Sequence, residues 1–144
     1  MKTTIITSCY NRASTIRGAI ESVLAQDYPD IEYIIVDGAS TDNSLQVIKE
    51  YEKNVTTIIS EPDRGMYEAI NKGIKMATGD VIGLVHSDDF LYDNHVISDI
   101  VREFEKTNAD FIYGDGIYVD AENISQMVRN WRGGCFRKWK VVVF

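Results

Sequence analysis

Two adjacent carboxylates, Asp88 and Asp89, follow the apolar run Val81–Val85 after only His86 and Ser87. Unit charges 4 Å apart at an effective dielectric of 20 repel by roughly 4 kcal/mol. A hard divalent cation reverses that repulsion, and Mg²⁺ or Mn²⁺ accepts one or two carboxylates together with substrate phosphate oxygens. The same pair can instead cap the turn that follows. Asp37 closes a second apolar run, Ile31–Val36. A carboxylate there can hydrogen-bond a ribose or base edge, or simply form the turn before Gly38. Arg64, in Glu61-Pro62-Asp63-Arg64-Gly65, offers a planar fork to a phosphate; the competing reading is a surface ion pair with Glu61 or Asp63. A fourth polar group, Ser8-Cys9-Tyr10-Asn11-Arg12, ends the run that begins at Thr3.

Four polar groups thus stand at the ends of four apolar runs, and the elements between them explain why. Thr3–Ser8 is β-branched and reads as a buried strand. Ile16, Ala19, Ile20, Val23 and Leu24 recur at helical spacing behind Ser14 or Thr15 as N-cap, and Pro29 ends that segment. Ile31–Val36 is a second strand. Leu45, Ile48 and Tyr51 mark a helix capped by Asp42 or Asn43. Val55–Ile59 is a third strand, and Met66, Ile70, Ile74 and Ala77 mark a helix ending near Gly79. Val81–Val85 is a fourth strand. A helix through Val96, Ile97, Ile100, Val101 and Phe104 follows, capped by Asp93 or Asn94. Phe111-Ile112-Tyr113 begins a fifth strand and Ile117–Val119 forms a sixth. Such alternation predicts an α/β domain with a mainly parallel sheet and helices on both faces. In that architecture ligands gather at the carboxyl ends of the strands, where the four polar groups lie.

Other chemistry finds less support. No GxGxxG or GxxxxGK[ST] follows the first strand, so neither a dinucleotide oxidoreductase nor a P-loop enzyme is supported. His86 and His95 are too far apart for a zinc motif, and His95 is expected to face solvent at a helix start. Cys9 reads as a small buried residue rather than a nucleophile. The tyrosines read as packing, with Tyr10 and Tyr67 as exceptions.

The chain has 144 residues, 44% of them hydrophobic and 26% charged, with a net charge of −7. That balance suits one globular domain and excludes disordered, collagenous and disulfide-scaffold classes. The charge is uneven. Residues 1–120 carry 10 basic and 21 acidic side chains, and residues 121–144 carry five basic and one acidic. An acidic body argues against nucleic acid as a partner. The basic end, with Trp131 and Trp139 inside residues 129–140, reads either as a solvated strand or hairpin or as a contact with an anionic membrane surface. Cys9 and Cys135 form no CxxC or other metal-ligand spacing, and the expectation is a reduced cytoplasmic protein, soluble or peripheral at the inner face of the membrane.

Taken in order, the segments Ile5–Arg12, Ala19–Pro29, Glu32–Asp42, Glu61–Tyr67, Asn71–Gly73, Ala77–Asp80 and Ser87–Asp89 resemble the family 2 glycosyltransferases of the GT-A fold. The likeness is greatest to transferases of bacterial capsule, O-antigen and other exopolysaccharide assembly. It implies an inverting, metal-dependent transfer of a sugar from a nucleotide-diphospho-sugar, uridine-linked, to a glycan or lipid-linked acceptor. By the same resemblance Ser8, Tyr10 and Asp37 would hold base and ribose, with Asn11 in the same nucleotide-sugar site. Asp63 and Arg64 would lie near the nucleotide or sugar, and Asp88 and Asp89 would bridge Mg²⁺ or Mn²⁺ to the diphosphate.

Three departures from the family pattern stand out. Gly38 replaces a second acidic residue after the second strand, and His86 replaces the first Asp of the metal motif. None of Asp110, Asp115, Asp120 or Glu122 occupies the family's base motif, so no catalytic base is assigned. The resemblance therefore implies a donor-binding domain over residues 1–120 and, over 121–144, the basic, apolar-ended start of a truncated acceptor region. A catalytically inactive nucleotide-sugar-binding module or subunit is the rival reading. A phosphoacceptor regulator would use Asp88-Asp89 but leaves Arg64 and Tyr10-Asn11 without a role.

Overall fold

Five of the seven residues in Thr3–Cys9 are β-branched, and all seven are buried in strand β1. Covered on both faces, such a strand can be apolar throughout rather than alternating. In the computed structural model, which describes residues 1–133, β1 lies between β2 (Ile31–Asp37) and β4 (Val81–Leu84), and β3 (Thr57–Ser60) pairs with the far side of β2. All three pairings are parallel, running from Thr3↔Ile31 to Cys9↔Asp37, from Thr3↔Val81 to Ile6↔Leu84, and from Ile34↔Thr57 to Asp37↔Ser60. Because β1 and β2 are in register to their last residues, Cys9 and Asp37 end side by side.

The period of two along the strands sorts the core into two layers. Ile5, Cys9, Tyr33 and Ile35 pack with Ile16, Ile20 and Val23 of α1 (Ile16–Leu24), Ile48 of α2 (Ser44–Lys49), and Ile97 and Val101 of α4 (Val96–Thr107). On the other face Ile6, Ile34 and Val36 pack with Ala69 of α3 (Met66–Met76). Helices on both faces of a parallel sheet are what the alternating pattern predicts.

The chain divides into two compact units, Met1–Arg102 and the residues from Glu103 onward. Within the second, β5 (Gly116–Val119) and β6 (Met127–Trp131) form an antiparallel hairpin. The expected strand over Phe111–Tyr113 is absent; the two rings stack on one another at 6.2 Å instead. A hairpin a few residues further on closes with less loop entropy than a long-range partner would require. Its turn is ready-made: the Asp120 side chain accepts the amides of Glu122 and Asn123, each at 2.9 Å.

Two smaller differences have local causes. Strand β3 begins at Thr57 rather than Val55, because the Val55 amide is still donating to the Tyr51 carbonyl at 3.1 Å as α2 unwinds. His95 is exposed as expected but not solitary, since its Nδ1 lies 2.6 Å from Asp27 Oδ2. That contact joins the end of α1 to the start of α4. No helix among the described residues is long and apolar enough to cross a membrane.

Candidate functional site

The carboxyl ends of β1, β3 and β4 and the start of α3 enclose a cavity of about 560 Å³. Ser8, Cys9, Tyr10, Asn11 and Arg12 line it from β1, Asp63, Gly65, Met66 and Ala69 from the β3–α3 connection, and His86, Ser87 and Asp88 from beyond β4. Of the residues singled out in the sequence, Ser8, Tyr10, Asn11, Asp63 and Asp88 therefore meet at one cavity. Asp37, Arg64 and Asp89 do not line it.

The β1 and β2 ends are tied together before either can face a ligand. The Gly38 amide donates to the Cys9 carbonyl at 2.9 Å. Asn11 sits in the left-handed region at φ 51°, which asparagine tolerates better than most residues. Its amide donates to Ser40 Oγ (2.9 Å), and its Oδ1 accepts the Thr41 amide (2.8 Å). The Arg12 amide donates to Ser44 Oγ at 2.7 Å, and the Ala13 amide to Asp42 Oδ2 at 3.1 Å. Asp42 is held below the usual carboxylate range, chiefly by the Ser44 hydroxyl. Ser40-Thr41-Asp42 is thus a staple that sets the β1 loop, which carries Tyr10 and Arg12 to the cavity.

Asp37 is fully buried. Its carboxylate accepts the Ser40 amide (3.1 Å to Oδ2), the Ser40 hydroxyl at Oδ1, and the Ser60 hydroxyl at 2.7 Å. These bonds span the ends of β2 and β3. Next to it, a Cβ placed on Gly38 would come within 2.7 Å of Asp63 Oδ2, so the Asp63 carboxylate lies over the end of β2. Asp63 Oδ1 accepts the Gly65 amide at 2.8 Å. Gly65 has φ 128°, a conformation that favours glycine, and it turns the chain into α3.

Arg64 is turned away, with its side chain 95% exposed and Nε 3.4 Å from Glu68 Oε2. The ion pair expected with Glu61 or Asp63 is made with Glu68 because the start of α3 presents that carboxylate at i+4. Glu61 pairs instead with Lys72 at 3.0 Å.

Asp88 faces the cavity, and its Oδ2 lies 3.9 Å from Arg12 Nε. Asp89 is raised above the ordinary carboxylate value, first by burial and then by the charge of Asp88, with His86 opposing. The repulsion expected between the two carboxylates is therefore present, but it ranks second to desolvation. His86 Nδ1 is 3.5 Å from Ser8 Oγ across the cavity. Among the described residues no three His, Cys, Asp or Glu side chains cluster as a metal site. The donor set nonetheless fits a hard cation that brings its own phosphate ligands, for which one or two carboxylates suffice. Cys9 is buried, and its thiol is pushed up by desolvation, as a packing role requires.

Arg12, His86 and Ser87 are polar lining residues to which the sequence assigns no role. All three lie inside the polar groups at strand ends, and no spacing rule distinguishes a side chain pointing into the cavity from its neighbours.

The model of glycosyl transferase family 2 matches residues 4–142, nearly the whole chain. The chain belongs to this family. It is 38% identical over 111 residues to an uncharacterized glycosyltransferase of Nostoc sp., covering 75% of this chain and 34% of that protein. It is 31% identical over 117 residues to a PGL/p-HBAD biosynthesis glycosyltransferase of Mycobacterium bovis, covering 78% and 46%. To the poly-beta-1,6-N-acetyl-D-glucosamine synthase of Staphylococcus epidermidis it is 32% identical over 101 residues, covering 69% and 24%.

Among solved structures, S. aureus TarS 1-349 in complex with UDP-GlcNAc aligns with a TM-score of 0.71 at 26% identity, covering 76% of this chain and 33% of that one. The mannosyltransferase PcManGT from Pyrobaculum calidifontis, in complex with GDP-Man and Mn²⁺, aligns with a TM-score of 0.68 at 23% identity and shares the fold. The family 2 chain thus has the GT-A architecture expected from its motifs, and it spans less than half the length of these relatives.

Proposed function

We propose that this family 2 domain binds a nucleotide-diphospho-sugar, uridine-linked, as the donor side of an inverting glycosyltransferase of cell-surface polysaccharide assembly. The observation that carries the reading is the convergence of Ser8, Tyr10, Asn11, Arg12, Asp63 and Asp88 on one cavity at the strand ends. The TarS complex supports a uridine-linked donor, since that protein was solved with UDP-GlcNAc at 26% identity.

The roles follow from the chemistry of each group. Tyr10, 58% exposed at the cavity, offers a ring face to a base. Ser8 and Asn11 supply neutral hydrogen-bonding groups, and Arg12 supplies a charged fork for a phosphate oxygen. Asp88 at the cavity, together with the adjacent Asp89, would hold Mg²⁺ or Mn²⁺. A bound divalent cation supplies neutralisation of the diphosphate as leaving group. Acidic surroundings alone would repel that anion, since residues 1–120 carry 21 acidic against 10 basic side chains.

The division into a donor domain over 1–120 and an acceptor-side segment over 121–144 belongs to this proposal, as does a glycan or lipid-linked acceptor. Contact of residues 129–140 with an anionic membrane surface is supported by the exposed Trp131 and by Arg129 and Arg132; residues 134–140 lie outside the described part. A non-catalytic nucleotide-sugar-binding module is the second reading. Sugar transfer or donor hydrolysis by the purified chain would exclude it.

Calorimetric titration with UDP in the presence and absence of Mn²⁺ tests the donor site. Asp88→Asn should abolish most of the Mn²⁺-dependent gain in affinity. Unchanged Mn²⁺ dependence in that variant would sink the metal assignment, and no binding of UDP or GDP by the parent chain would sink the donor reading.

A further inference from the structure

We propose that Asp63, and not Asp37, is the carboxylate that reads the nucleoside in this domain, accepting a hydrogen bond from a ribose hydroxyl or a ring N–H of the base. The proposal rests on the nucleotide-sugar reading above and names a specificity-determining residue within it.

Asp37 is unavailable for that task. It is fully buried, and its two oxygens are taken by the amide and hydroxyl of Ser40 and the hydroxyl of Ser60. Turning it toward a ligand would break all three of these hydrogen bonds and untie the ends of β2 and β3. Its bonds close the β2–β3 end and the Ser40 turn, a positioning task.

Asp63 has the complementary properties. Its carboxylate occupies the space that any side chain at position 38 would need, with Oδ2 at 2.7 Å and Cγ at 3.1 Å from a Cβ built there. Gly38 therefore does more than omit an acidic residue. It vacates the end of β2, and a carboxylate from the next connection fills the vacancy. Oδ1 is anchored on the Gly65 amide at 2.8 Å, which holds the side chain in place. Oδ2 takes no hydrogen bond among the described residues. The group also lines the cavity, together with Ser8 and Tyr10.

The chemistry of the ligand end follows. An ionised carboxylate only accepts hydrogen bonds, so it matches the N3–H of uracil, the N1–H of guanine or a ribose hydroxyl. It repels a diphosphate, whose charge is better met by Arg12 and by a cation on Asp88. Asp63 thus marks the nucleoside part of the cavity, and the ionic groups mark the diphosphate part.

Calorimetry on the full 144-residue chain with Mn²⁺ and UDP, CDP or 2′-deoxy-UDP tests this. CDP lacks the ring N3–H and 2′-deoxy-UDP lacks one hydroxyl, so the parent chain should disfavour one of them by roughly tenfold, a charge-assisted hydrogen bond's worth. Asp63→Asn should weaken UDP by a similar factor and erase that preference, and the preference that vanishes identifies the donor. Gly38→Ala, whose methyl group displaces the carboxylate, should weaken UDP in the same direction while the thermal midpoint moves little. Asp37→Asn should lower the thermal midpoint yet keep the preference. UDP affinity of Asp63→Asn within twofold of the parent would overturn the proposal, as would a preference that survives the substitution or is absent from the parent. Each of those outcomes leaves UDP bound to the parent chain, and so leaves the donor site itself standing.

Discussion

Glu32 anchors the end of the sheet opposite the cavity, and replacing it with glutamine should loosen the sheet there. As the second residue of β2, it is buried and accepts four hydrogen bonds: Thr4 Oγ1 at 2.6 Å, the Thr78 amide at 2.7 Å, Thr78 Oγ1 at 2.6 Å and Lys2 Nζ at 3.0 Å. Burial by itself pushes the carboxyl up, but these donors outweigh it and hold the group at about 2, against an ordinary 4.5. A drop of that size corresponds to about 3 kcal/mol of folding free energy. Because the folded value is the depressed one, this contribution is complete above the unfolded value of 4.5. It is lost as the pH falls from there toward about 2. At pH 3 about 1.4 kcal/mol remains. Glu32→Gln presents an amide NH₂ where two acceptor sites are needed, so it should lose roughly 3 kcal/mol at pH 7 and proportionally less at pH 3. Denaturant unfolding followed by far-ultraviolet circular dichroism, for both proteins at both pH values, measures the difference. A variant within about 0.5 kcal/mol of the parent at pH 7, or a gap that fails to narrow at pH 3, would refute the reasoning.

Two further substitutions probe the scaffold and the staple. Thr3 Oγ1 is buried without a hydrogen-bond partner among the described residues, so the isosteric Thr3→Val should stabilise the fold by about 1 kcal/mol, read as a raised denaturation midpoint. Asn11→Ala keeps a residue at φ 51° but removes the acceptor of the Thr41 amide. It should cost about 2 kcal/mol and weaken nucleotide binding, whereas an unchanged midpoint would show that the Ser40-Thr41-Asp42 staple does not hold the β1 loop.

Much of the fold was legible because burial on both faces leaves a simple trace. A parallel strand covered by helices is apolar throughout, and each helix carries its stripe, so Thr3–Cys9, Ile31–Asp37 and the helices from Ile16 to Thr107 emerge in order. The misreading at Phe111–Tyr113 has a physical source as well. An apolar triplet does not say whether a strand edge is in reach, and the locally closed hairpin of β5 and β6 competed successfully. At the site, the strand-end rule located the cavity but did not assign its walls. Arg64 looked like a phosphate ligand and pairs with Glu68, while Arg12 and His86 line the cavity without having been assigned.

By itself the sequence determined the family, the order of strands and helices, and the edge of the sheet where polar residues gather. Those properties are carried by local periodicity and by motifs a few residues long. Which carboxylate faces the cavity was decided only in three dimensions. Asp37, Asp63, Asp88 and Asp89 are chemically alike in a string of letters, and their surroundings differ. Three donors from Ser40 and Ser60 seal Asp37, the missing side chain of Gly38 admits Asp63, and of the adjacent pair Asp88 lines the cavity while Asp89 does not. Desolvation and hydrogen bonding act through space between residues far apart in the chain, so no reading of neighbours along the sequence could have ranked the four.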